Sequence, residues 1–143
     1  MKKLLLLLVF AFMAVMPMSA STADDIAYIR KFYTEYKSAY EHDKNSYPPE
    51  KCYEVIKKYC AESFFAQMKD NEVGYDFPTS DYGLDDLSLE TLAINNKIGS
   101  DYLVTFKVHY SYPYKTEIVI KEITVLATMK NGKIDDITGV SEK

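Results

Sequence analysis

The sequence is poor in the residues that mark the common catalytic and cofactor chemistries. Of 143 residues, two are His, two are Cys, five are Gly and none is Trp. A zinc centre needs several imidazole or thiolate ligands close together. Here His42 and His109 lie far apart in the chain, with Cys52 and Cys60 between them. No Gly-rich phosphate loop, Gly-x-Ser-x-Gly elbow or dinucleotide fingerprint occurs. The oxygen-rich run from Asp81 to Glu90 does not have the helix–loop–helix spacing of a calcium loop. Basic charge is also short: 17 Lys+Arg face 21 Asp+Glu, which leaves no electrostatic footprint for nucleic acid. Metals and cofactors are therefore not expected, and no residue is assigned a catalytic role.

One long apolar run is present, at the start. Met1-Lys2-Lys3 is followed by Leu4 to Val15 without a polar residue, then Pro17 and the small residues around Ser19 to Ala23. Basic start, apolar middle and small-residue exit are the parts of a secretory signal peptide, with cleavage expected after Ala20 or Ala23. As a helix an apolar stretch of about 15 residues would reach about 22 Å, short of the ~30 Å bilayer core. No Cys lies near the cut for lipid attachment. The expectation is residues 1–23 as signal and 24–143 as one domain, exported to the periplasm or secreted, with no membrane anchor after cleavage.

Export permits a disulfide between Cys52 and Cys60. On one straight helix their Cα atoms would stand about 12 Å apart, beyond bridging distance. A bridge requires the helix to break between them or near Cys60, and two buried thiols are the alternative.

Every tyrosine, 13 in all, belongs to the part after the signal. Ile26, Ile29, Phe32, Tyr33, Tyr36 and Tyr40 recur at helical spacing and predict a helix over 24–42. Pro48-Pro49 breaks the chain, and residues 50–69 read as helix in two pieces. The irregular stretch 71–88 carries Gly74, Pro78, Gly83 and several aromatics. It is long for a connection, so it is either functional or packed by its own rings.

Strands follow. Tyr102, Val104, Phe106, Val108, Tyr110 and Tyr112 alternate with Thr105, Lys107 and His109, giving one buried face. In 116–128 the apolar phase changes between Ile120 and Ile123, which predicts a β-bulge near Lys121-Glu122. Asn131-Gly132 is a hairpin turn. Helices first and an antiparallel meander after them indicate an α+β fold, with the N-terminal helices packed on a curved antiparallel sheet.

That order resembles the cone-shaped, cystatin-like α+β superfamily named after nuclear transport factor two, which also holds ketosteroid isomerases and polyketide cyclases. The segment Tyr75-Asp76-Phe77-Pro78-Thr79-Ser80-Asp81-Tyr82-Gly83-Leu84-Asp85-Asp86-Leu87, with the closing Asn131-Gly132-Lys133-Ile134-Asp135-Asp136-Ile137, is similar to a family of exported bacterial domains of this shape. The resemblance implies the fold over 24–143 and carries no assigned activity.

Three functions compete. A binding module would hold a small molecule in a cavity walled by Tyr110 and Tyr112, with Tyr75, Phe77, Asp81 and Tyr82 at its rim. A protein-binding or inhibitor module, or a self-associating homodimer, would use the open sheet face with Thr105, Lys107 and His109. Proton-transfer catalysis needs a base inside the cavity. Asp76 and Asp81 are the acids that could hang over its mouth, whereas His109 points the other way.

Overall fold

The computed structural model describes residues 22–42, 48–71 and 74–140. Almost all of the expected signal peptide, residues 1–21, lies outside these residues. Helix α1 (Thr22–His42) opens with Asp24 and Asp25 in its first turn, where acids favour the positive end of the helix dipole. Its stripe of Ile29, Phe32, Tyr33 and Tyr36 is completely buried. Helix α2 (Glu50–Tyr59) has Glu50 in its first turn and Lys57 and Lys58 in its last. Helix α3 (Glu62–Lys69) follows after one break.

The break has a tertiary cause. Cys60 caps α2 in an extended conformation, and Ala61 N–H donates to Ile134 O at 2.8 Å. A strand thus draws the chain out of the helix. The break comes too late to fold Cys60 back on Cys52, because α2 is unbroken from one to the other. Of the two alternatives the sequence leaves open, the structure has the two buried thiols, not joined to each other.

After a 3-10 turn (Phe77–Thr79) and the short helix α4 (Asp86–Glu90), four strands complete the chain: β1 (Ala93–Ile98), β2 (Asp101–Ser111), β3 (Ile118–Lys130) and β4 (Lys133–Gly139). They form one antiparallel sheet in sequence order. Tyr102, Val104, Phe106 and Val108 of β2 and Ile123, Val125 and Ala127 of β3 are buried on one face. The helices cover that face, with the rings of Tyr33 and Phe106 5.9 Å apart. Tyr102 Oη donates to Asp25 at 2.7 Å. The fold is α+β, helices on an antiparallel sheet, as the sequence pattern indicates.

The expected bulge at Lys121-Glu122 is absent. β2 and β3 pair in unbroken register from Asp101↔Thr128 to Ser111↔Ile118. Register shifts fall instead at Thr128/Met129 against β4 and at Asn96/Ile98 against β2. Alternation through the phase change leaves Ile118 and Ile120 on the outer face, 68% and 60% exposed, and turns Lys121 inward. The inward lysine is tolerated because the hairpin tip runs past the packed core, where tyrosine rings surround its ammonium.

Candidate functional site

At the end of the sheet nearest the hairpin tip, an open cleft of about 870 Å³ lies between the 75–82 segment and the edge formed by β3 and the end of β4. Tyr75, Ser80 and Tyr82 line one side, and Lys121, Ile123 and Thr124 line the other. The 75–82 wall is held by its own hydrogen bonds. Asp76 N–H donates to Asp81 Oδ1 at 2.6 Å, and Ser80 and Asp81 both adopt positive φ, at 49° and 67°.

Lys121 is the centre of the cleft's chemistry. Its Nζ donates to Tyr82 Oη at 3.1 Å. It also lies 5.1 Å from the ring centres of Tyr82 and Tyr110 and 5.5 Å from that of Tyr112. The three rings meet edge to face, Tyr82 with Tyr110 at 5.2 Å and Tyr110 with Tyr112 at 5.0 Å. The Tyr82 hydroxyl raises the Lys121 pKa above its ordinary value, outweighing desolvation.

Of the expected residues, Tyr75 and Tyr82 line the cleft wall, and Tyr110 and Tyr112 pack with Tyr82 around Lys121 beside it. The two others serve the fold. Phe77 is half-buried, packing edge to face on Phe64 and Tyr75. Asp81 fastens the turn through Asp76 N–H. Tyr110 and Tyr112 sit on the expected face, but Tyr112 is 37% exposed, because the hairpin outruns the helices. The sequence pattern does not single out Lys121: its break in the apolar alternation predicts a bulge, whereas the unbroken register turns it inward as a cation.

Asp76, considered above as a base at the cavity mouth, is instead sealed in the core. Tyr36 Oη donates to Oδ1 at 2.8 Å and Thr79 Oγ1 to Oδ2 at 2.6 Å, and Tyr40 Oη also donates to Oδ2. Burial raises its pKa to about 7, against the opposing pull of the Thr79 and Tyr36 hydroxyls. Burial and the neighbouring carboxyl push Tyr33 and Tyr36 well above the usual phenol value. Two of the three hydroxyl donors on this carboxyl, Tyr36 and Tyr40, tie α1 to the 75–82 wall of the cleft.

On the open face, Thr105 Oγ1 and Thr124 Oγ1 are 3.2 Å apart. Lys107 and His109 are exposed there, and His109 is tied to Asp85. Among the described residues no group of three or more His, Cys, Asp or Glu side chains could hold a metal, and no helix is long and apolar enough to cross a membrane.

No protein-family model matches the chain, and no curated protein sequence matches it. Solved structures share its fold. One is a crystal structure of a protein of unknown function from Bacteroides thetaiotaomicron, 18% identical, TM-score 0.59, covering 81% of this chain and 89% of that one. Another is the solution structure of TraH, a proposed transfer protein of the Gram-positive conjugative plasmid pIP501. It is 16% identical, with TM-score 0.58 and coverage of 87% and 97%. At these identities the likeness is one of fold alone.

Proposed function

We propose that this chain is an exported, non-catalytic binding domain of the cone-shaped superfamily. It holds a small molecule with a flat body and an acidic group in the tyrosine-walled cleft. The observation that carries the reading is Lys121, a cation on the cleft wall with its Nζ on the Tyr82 hydroxyl and beside three tyrosine rings. An ammonium recognises an acid, and aromatic side walls recognise a flat ring or sugar face. The composition of residues 1–23 supports export, and the order of helices and meander supports the superfamily. Of the two acids considered as a base, Asp76 is buried and hydrogen-bonded by Tyr36, Tyr40 and Thr79 and Asp81 accepts from Asp76 N–H, which favours binding over proton transfer.

Native mass spectrometry of the protein purified from its own cells tests this. A retained small mass that is lost in both K121A and Y82A is the expected result. A chain that always flies bare, or a retained mass indifferent to both substitutions, overturns the reading.

A further inference from the structure

Among the described residues the β2–β3 hairpin extends beyond the paired lengths of both its neighbours, and its two outer edges are finished differently. Past the end of β1, the β2 N–H groups of Lys107 and His109 are taken by Thr91 Oγ1 and the Asp85 carboxylate, each at 2.9 Å. On the other side, pairing of β3 with β4 reaches Val125↔Gly139, and Val140 N–H then donates to Thr124 O at 3.2 Å. Thr124 thus faces the β4 side. In an antiparallel strand alternate residues face the same edge, so Glu122, Ile120 and Ile118 turn their N–H and C=O groups the same way. Among the described residues none donates to or accepts from these groups across that edge. The 68% and 60% exposed side chains of Ile118 and Ile120 stand beside it.

We infer that this edge of β3 pairs antiparallel with the same edge of a second copy, about a two-fold axis at Val119. The strand's own chemistry selects that register. Hydrogen-bonded pairs must join even-numbered residues, so the axis passes through a residue rather than between two. An axis at Ile120 sets Ile118 against Glu122 and Val119 against Lys121 of the second copy. At Ile118 it sets Lys115 against Lys121. At Val119 it sets Glu117 against Lys121 twice, Ile118 against Ile120 twice, and Val119 against itself. Opposite charges meet opposite charges, and four isoleucines form one apolar stripe on the outer face. This places self-association on the β3 edge rather than on the open sheet face, and because Ile120 to Thr124 of that edge also line the cleft, the second copy and a cleft ligand would compete for Lys121.

Sedimentation velocity of the purified protein from about 1 µM to about 200 µM decides it, since an interface this small associates weakly. The wild type is expected to shift from monomer to dimer across that range. E117K places Lys against Lys121 and weakens the dimer at least about tenfold, as does K121E by placing Glu against Glu117. The double variant E117K/K121E restores it. V119C, at a directly opposed pair, forms an intermolecular disulfide on mild oxidation, the native thiols being buried. A monomer throughout, a dimer indifferent to E117K, or a double variant that fails to recover while folded by circular dichroism overturns the inference.

Discussion

The carboxylate of Asp85 holds His109 twice, through its backbone N–H at 2.9 Å and its ring Nδ1 at 3.0 Å. The same carboxylate caps α4 by accepting from Ser88 N–H at 3.1 Å, while Ser88 Oγ accepts the Asp85 N–H at 2.9 Å. One side chain therefore starts a helix and closes a strand edge. Burial pushes this carboxyl up, but the His109 and Ser88 bonds outweigh it and hold its pKa below the ordinary value.

Asp85→Ala is expected to cost about 1–2 kcal/mol in urea unfolding, the usual worth of a lost cap, with Asp85→Asn costing less because its carbonyl still accepts. The stabilisation from ionised Asp85 is complete above the ordinary carboxylate pKa and fades as pH falls through the lower folded value. The wild-type advantage over D85A should shrink in that acidic window.

Asp76 gives the opposite slope. Its folded pKa, about 7, lies above the ordinary 3.8, so the folded state binds the extra proton between those values. This contribution is whole below about pH 4 and declines as pH rises through about 7. The decline is on the order of 4 kcal/mol at most. Denaturant titrations from pH 4 to 8 should show it, and Asp76→Asn should flatten the profile. Tyr36→Phe, removing a donor that lowers this pKa, should move the decline to higher pH. An unaltered profile in D76N would show that Asp76 does not titrate in this range.

Cys52 and Cys60 are expected to ignore a thiol reagent until the protein unfolds, since both are buried and burial raises the Cys60 pKa far above its usual value. Intact mass should equal that of the fully reduced sequence, and reductant should leave Tm unchanged.

Asn131 and Gly132 turn the chain from β3 to β4 with φ of 53° and 74°. A Cβ at Gly132 would meet nothing within 4 Å, so Gly132→Ala tests backbone strain without steric clash. It should cost about 1–2 kcal/mol, whereas Asn131→Gly should be close to neutral, both read from chemical unfolding.

Much of this architecture is legible because it is local. The apolar period of α1, the Pro48-Pro49 break, the Asn131-Gly132 turn and the alternation in β2 report short-range geometry, and the structure follows each. The candidate site was legible only in part. Tyr82, Tyr110 and Tyr112 come together and Tyr75 lines the cleft beside Tyr82, but Phe77 and Asp81 hold the loop, and Lys121 emerged only from the sheet's register.

What the sequence determined by itself is the set of elements and the faces they bury, since period and turn chemistry act between neighbours in the chain. The tertiary structure decided where polar groups go. Ile134 ends α2 at Cys60, Tyr36 and Tyr40 draw Asp76 into the core, and Asp85 reaches across 24 positions to His109. Each is a hydrogen bond between residues distant in sequence. Its value comes from desolvation that exists only once the helices lie on the sheet.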